Sequence, residues 1–259
     1  MSQSKGAINE KIAVVTATFN DDRALRVTAE SIACQSDKDF IWIIIDNNST
    51  DGTRDVISDF KDKINILFVS EKDNGIYNAL NKGIKLAAGS WVIFLGAGDY
   101  LFSPDSILQI KPELDQNYGF VYFNIVFNRG SKLKFKKQQA CKIHKWSLSR
   151  PNVPHHQSLF TSPKVFEDFC FDESYKICAD AKLYLEASKS FASKYVDNFV
   201  TAFQQGGVST SQSTYLTLLT ENQRICDELS LHPPSRIVKY ISSLKIFIKK
   251  LLLAFRLTR

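Results

Sequence analysis

The chain has 259 residues, 44% of them hydrophobic, enough to bury one sizeable α/β core and too few for two full domains. Its formal net charge is +6, yet the residues after Glu228 carry seven cations, Arg236, Lys239, Lys245, Lys249, Lys250, Arg256 and Arg259, and no acid. Taking those seven from +6 leaves about −1 for the rest, so the basic character belongs to the tail, and a nucleic-acid-binding face is excluded.

In chain order, Met1 to Glu10 is short and polar without an apolar core segment, so it is read as a flexible N-terminus and not a secretory signal, and a cytosolic protein is expected. Four apolar, β-branched runs follow: Ile12 to Thr16, Trp42 to Asp46, Ile66 to Ser70 and Trp91 to Leu95. Segments with helical periodicity separate them, an alternation that predicts a mostly parallel sheet covered on both faces. Asp21 or Asp22 can cap the first helix, whose Leu25, Ala29 and Ile32 share one face. The second starts near Thr50-Asp51-Gly52. The third places Ile76, Ala79, Leu80, Gly83, Ile84 and Ala87 on one stripe and stops at Ala88-Gly89.

Beyond Pro104 the alternation weakens. Phe120 to Ile125 reads as a strand, Lys132 to Gln138 as the second arm of a hairpin, and Ala179 to Ser188 as a helix after a loop bounded by Pro151, Pro154 and Pro163. The five cysteines are scattered without metal-ligand spacing and are expected to be free thiols. Residues 11–230 are read as one domain, with a regular half over 11–101 and a less regular half over 102–230. Residues 231–259 mix large apolar residues, among them Ile237, Ile241, Leu244, Phe247, Ile248, Leu251, Leu252 and Phe255, with the seven cations. The longest uncharged apolar stretch there, Leu251 to Phe255, is far below the roughly 20 residues of a spanning helix, so an amphipathic helix on an anionic membrane surface is expected. A helix packed on protein is the alternative.

The chemistry lies at the carboxyl ends of the four strands, where open α/β sheets bind ligands. Thr18 and Asn20 follow the first, Asp46-Asn47-Asn48-Ser49 the second, Glu71-Lys72-Asp73-Asn74-Gly75 the third and Gly96-Ala97-Gly98-Asp99 the fourth. A carboxylate at the end of a buried strand is costly unless paired. Asp46 and Asp73 can accept hydrogen bonds from a base edge or ribose hydroxyl, and Asp99 can hold a cation that neutralises a diphosphate. Each could equally cap a turn or helix.

These motifs in this order, Val14-Val15-Thr16-Ala17-Thr18-Phe19-Asn20, Ile45-Asp46-Asn47-Asn48-Ser49-Thr50-Asp51-Gly52-Thr53, Asp73-Asn74-Gly75-Ile76-Tyr77-Asn78-Ala79-Leu80-Asn81-Lys82-Gly83-Ile84 and Phe94-Leu95-Gly96-Ala97-Gly98-Asp99, resemble the family 2 inverting glycosyltransferases of GT-A fold. Within that family the chain is most similar to bacterial enzymes of colanic-acid, capsule and O-antigen assembly. The resemblance implies an α/β GT-A architecture: a Rossmann-like nucleotide-binding half with a mostly parallel sheet, a smaller acceptor half and C-terminal helices. It also implies a nucleotide diphosphate sugar donor, held by Thr18, Asn20, Asp46, Asp73, Asn81, Ala97 and Gly98. Asp99 matches the last acid of the DxD motif and would ligate Mn²⁺ or Mg²⁺, but Ala97 replaces the first acid.

The same resemblance makes Asp180, after Phe171-Asp172-Glu173-Ser174-Tyr175, the candidate general base, with a plain helix N-cap as the competing role. His155, His156 and Gln157 match a Pro-His-Gln segment with one extra histidine; His156 is favoured because it precedes Gln157. Together with Gly207 they are candidate contacts to acceptor or phosphate. The implied acceptor is a lipid-linked saccharide in surface polysaccharide synthesis. Absence of a Gln-x-x-Arg-Trp motif favours single addition over processive synthesis. A sugar nucleotidyltransferase and a non-catalytic sugar-nucleotide-binding module are the alternatives.

Overall fold

The computed structural model describes residues 11–130, 132–138, 146–147, 150–204, 214–232 and 244. The parallel half forms as the sequence pattern predicts. Strands β1 (Ile12–Thr18), β2 (Ile41–Asp46), β3 (Ile66–Ser70) and β4 (Trp91–Phe94) alternate with helices α1 (Asp22–Ala33), α2 (Thr53–Phe60) and α3 (Ile76–Leu86). All pairings among these four strands are parallel, in the order β3-β2-β1-β4.

The strands are buried on both faces because their side chains feed two separate cores. Ala13, Val15, Ile43, Ile45, Val92 and Phe94 pack with Ala79, Leu80 and Ile84 of α3. Ile12, Val14, Trp42, Ile44, Trp91 and Ile93 pack with Leu25, Ala29 and Ile32 of α1 and Val56 and Phe60 of α2. Each fully buried Ile, Leu or Val contributes roughly 1.5–3 kcal/mol relative to exposure. Helix α3 lies so close to β1 that a Cβ on Gly83 would sit 2.4 Å from Cγ1 of Val15.

The second half extends the same sheet: β5 (Tyr100–Leu101), β6 (Phe120–Asn128), β7 (Leu133–Lys136), β10 (Leu159–Thr161) and β11 (Ser193–Gln204). Among the described residues the sheet runs β3-β2-β1-β4-β10-β6-β11-β5, with β7 antiparallel on β6 as the expected hairpin. Strand β10 enters antiparallel between β4 and β6, whereas β11 runs parallel to β6. The short pair β8 (Trp146–Ser147) and β9 (Arg150–Pro151) stands apart.

Helix α4 (Ser106–Ile110) covers the α1 side, and α6 (Ala179–Ala187) packs on the α3 side; the short α5 (Val165–Asp168) precedes α6. Helix α7 (Tyr215–Glu228) follows and buries Leu219, Glu221, Asn222, Ile225 and Cys226. The sequence pattern does not reveal β11, because register breaks at Val196/Phe199 and Phe199/Thr201 interrupt its two-residue alternation.

Cys34, Cys170, Cys178 and Cys226 are free thiols; Cys141 lies outside the described residues. So do Gly207 and, apart from 231, 232 and 244, the whole of the expected tail helix. Among the described residues no helix is long and apolar enough to cross a membrane.

Candidate active site

Strand register sets one rim of the crevice. Thr18 lies opposite Asp46, and Asp46 opposite Ser70, so the last residues of three strands stand level. Asp46 is completely buried and internally satisfied: Ser49 donates both its N–H and its hydroxyl, and Ser70 donates its hydroxyl at 2.6 Å. Asn20, in the left-handed region at φ 48°, donates its N–H to Ser49 Oγ at 2.8 Å and accepts the Thr50 N–H at 2.8 Å. Asp46 and Asn20 therefore shape the loops after β1 and β2.

Two other expected donor residues carry polar atoms that the fold leaves unused. Thr18 Oγ1 and Asp73 Oδ2 are buried and make no hydrogen bond. The rest of Asp73 is tightly held: its N–H donates to Asn47 Oδ1 at 2.7 Å, and Oδ1 receives Lys82 at 2.6 Å. Lys82 also pairs with Glu71 at 2.7 Å. A buried polar atom without a partner costs about 1–3 kcal/mol, a cost that a ligand hydrogen bond removes. Both atoms belong to loops of the same crevice.

The turn after β4 is built around a side chain the sequence pattern does not single out. The Thr28 hydroxyl donates to the Asp99 carbonyl at 2.7 Å and accepts the Gly98 N–H at 3.0 Å. Gly98 takes φ 93°, which few side-chain-bearing residues adopt. This turn points Asp99 inward. Its Oδ2 accepts the Gly96 N–H at 3.1 Å and its Oδ1 the Gln204 N–H at 2.9 Å. Burial raises its pKa to about 6, although those two donors, the His156 charge and a hydrogen bond from Gln157 all act to lower it.

The donor set is thin for a metal. Among the described residues no three His, Cys, Asp or Glu side chains gather to hold an ion. Ala97, half-buried, supplies nothing. Asp99 nevertheless fits as a single protein ligand, since it is a buried carboxylate with too little positive charge around it, and a cation completed by diphosphate oxygens relieves that deficit.

Asp180 shares His156 with Asp99, since the charges of both act on that ring. It is not the cap of α6: Cys178 occupies that position, and Asp180 is the second helical residue. Its Oδ2 lies 3.0 Å from His156 Nδ1 and its Oδ1 3.5 Å from the Tyr77 hydroxyl. The Tyr77 oxygen also accepts the backbone N–H groups of Ala179 and Asp180, and burial followed by the Asp180 charge raises its pKa. Burial opposes protonation of His156, but the Asp180 hydrogen bond and the charges of Asp180 and Asp99 outweigh it, holding the ring above its ordinary value.

Asp99, Gln157, His156 and Asp180 thus form one continuous line. The two histidines differ in their contacts: the His155 ring is edge-on to Phe127 with Nε2 3.2 Å from Lys136, while His156 pairs with Asp180. The Asn81 amide bonds the backbone N–H and C=O of Phe171 and the Glu173 carboxylate. Tyr77, Lys82 and Thr28 contact the candidate residues Asp180, Asp73 and Asp99, and the sequence pattern does not single them out. The first two sit inside the quoted motif, Tyr77 three residues before Leu80 and Lys82 two residues after it, and could have been found there; Thr28 looks like any polar helix residue.

A parallel α/β half with acids at and just beyond its strand ends, and the His156–Asp180 pair on the elements added to it, is the architecture of an α/β enzyme. Residues 13–171 match the model of Glycosyl transferase family 2, and the chain belongs to that family. A PGL/p-HBAD biosynthesis glycosyltransferase of Mycobacterium tuberculosis is 25% identical over 206 residues, covering 76% of this chain and 78% of that one. Staphylococcus aureus TarS residues 1–349, solved with UDP-GlcNAc, superposes with a TM-score of 0.63 at 15% identity, covering 92% of this chain and 72% of that one. The mannosyltransferase PcManGT of Pyrobaculum calidifontis, solved with GDP-Man and Mn²⁺, gives a TM-score of 0.62 at 15% identity, with 82% and 64% covered. The fold is GT-A, as the motifs imply, and the protein is a glycosyltransferase.

Proposed function

We propose that this glycosyltransferase catalyses a single, inverting transfer of a sugar from a nucleotide diphosphate donor, most simply a UDP-sugar, to a saccharide on a lipid anchor in surface polysaccharide synthesis. The observation that carries the reading is the pairing of Asp180 with His156 at 3.0 Å, a ring that also feels the charge of Asp99. Thr18 and Asp73, each with an unused buried oxygen, take the nucleoside. Asp46 and Asn20 hold the loops that surround it, Ala97 and Gly98 line the diphosphate, and Gln157 orients Asp99.

Asp99 would hold a divalent cation, which would supply charge neutralisation for the departing diphosphate. The chain's own residues do the remainder. Asp180 takes the proton of the acceptor hydroxyl as that oxygen attacks the anomeric carbon from the face opposite the leaving group. His156 and Tyr77 fix the carboxylate for that role. A single displacement leaves the anomeric configuration inverted and needs no enzyme nucleophile.

Support for UDP comes from the TarS structures with UDP and UDP-GlcNAc, and for Mn²⁺ from PcManGT. Support for a lipid-linked acceptor comes from the relatives named for PGL and p-HBAD biosynthesis and from the basic, apolar sequence of residues 231–259, read as attaching the enzyme to the inner membrane surface. A donor panel of UDP- and GDP-sugars with lipid-linked acceptors, read as nucleotide diphosphate release, tests the assignment. Release with one UDP-sugar that EDTA abolishes and Mn²⁺ restores is expected. Binding of nucleotide without turnover on any acceptor would instead indicate a non-catalytic module.

A further inference from the structure

Helix α6, which carries Asp180, begins without any side chain of its own capping it. The segment leading into it is held from a distance. Glu221, in the middle of α7 and 8% exposed, accepts three successive backbone N–H groups: Lys176 at 2.6 Å through Oε1, and Ile177 and Cys178 at 2.9 Å through Oε2. Burying a carboxylate is costly unless it is well hydrogen-bonded. Three charge-assisted bonds to consecutive amides meet that need, and they fix the backbone two residues before the base.

We propose that Glu221 is a positioning residue for catalysis: it sets where α6 begins and thereby where the Asp180 carboxylate stands. The inference rests on the assignment of Asp180 as base. The Tyr77 hydroxyl of α3 lies 3.5 Å from Asp180 Oδ1, so the first turn of α6 has contacts to both α3 and α7. Three consecutive amides, from Lys176 to Cys178, are fixed by one side chain remote in sequence. Neither helix needs to touch substrate for this. A displacement of the base by about 1 Å is enough to cost on the order of 100-fold in rate.

The test uses the full chain and the donor–acceptor pair giving the greatest nucleotide release in the parent enzyme. Glu221→Gln keeps the shape but turns an amide NH₂ toward N–H donors; Glu221→Asp keeps the charge but falls short. Both should lower kcat by about tenfold to a hundredfold while leaving donor KM and calorimetric UDP affinity within about twofold. Amide exchange at Lys176, Ile177 and Cys178 should accelerate in both. In an Asp180→Asn background, Glu221→Gln should reduce the residual rate no further, because the group it positions is already gone.

Unchanged kcat in both variants, when Asp180→Asn is inactive, would overturn the proposal. So would a fall in kcat matched by an equal loss of UDP affinity and of melting temperature, or a further drop in the Asp180→Asn background, since either indicates a general structural role. If Asp180→Asn itself turns over normally, the assignment of the base fails, whereas faster exchange at 176–178 would still show Glu221 holding the segment.

Discussion

His156 and Asp180 form a pair across the crevice, Nδ1 to Oδ2 at 3.0 Å, and each changes what the other can do. A protonated His156 stabilises the Asp180 carboxylate and weakens it as a base; a neutral ring still orients it. Because the ring titrates above its ordinary 6.5, kcat should climb as pH rises past that value. His156→Asn should slow transfer by about tenfold to a hundredfold and flatten that limb of the pH profile. A variant profile superposable on the parent's would show that His156 does not act through Asp180.

Asp99 gives an unusual pH dependence of stability. Its folded pKa of about 6 lies above the ordinary 3.8, so the folded state binds a proton more tightly than the unfolded one. Stability of the unliganded protein should therefore fall as pH rises from about 4 to about 6, by on the order of 3 kcal/mol at most. The raised His156 extends the decline, since its contribution is present below 6.5 and lost above the folded value. Denaturant melts at pH 5 and pH 7 measure this. Addition of Mn²⁺ with UDP should shrink the difference; a protein more stable at pH 7 than at pH 5 without ligand would contradict it.

The unused Thr18 hydroxyl predicts opposite effects on folding and binding. Thr18→Val removes a buried polar atom without a partner, so the unliganded protein should be as stable as the parent or more stable by about 1 kcal/mol. UDP affinity should drop by about fivefold to tenfold, the worth of one hydrogen bond. Calorimetric titration and thermal melts on the same preparation decide it. Loss of stability with intact affinity would place the hydroxyl outside the nucleotide site.

These residues also mark what the sequence could reveal. Asp46, Asp73 and Asp99 are legible because Asp46 ends β2 and the other two follow closely on β3 and β4, strands whose apolar runs are unmistakable and whose ends must share one edge of a parallel sheet. Asp180 is legible only through a family motif, since α6 is too short and too evenly buried to show its own face. The alternative role of Asp180 as an N-cap fails because the helix starts one residue earlier, at Ala179. Glu221 and Thr28 are illegible for a different reason: each bonds backbone atoms 43 to 71 residues away, and no local pattern encodes such a partner.

Close packing of α3 on β1 makes Gly83 a structural requirement. A methyl group there would sit 2.4 Å from Val15 Cγ1, in the centre of the sheet where Val15 cannot retreat. Gly83→Ala should cost about 1–3 kcal/mol. Because α3 carries Tyr77 and Lys82, nucleotide affinity and turnover should suffer as well. A thermal melt unchanged from the parent would mean that the helix can shift without cost.

Deprotonation of the acceptor by Asp180 is the central step of the proposed transfer. Single-turnover transfer by Asp180→Asn, measured beside calorimetric UDP binding, tests this directly. Nucleotide affinity within about twofold of the parent with transfer slowed by about 100-fold or more is the predicted result. Transfer at the parent rate with the same affinity would contradict it.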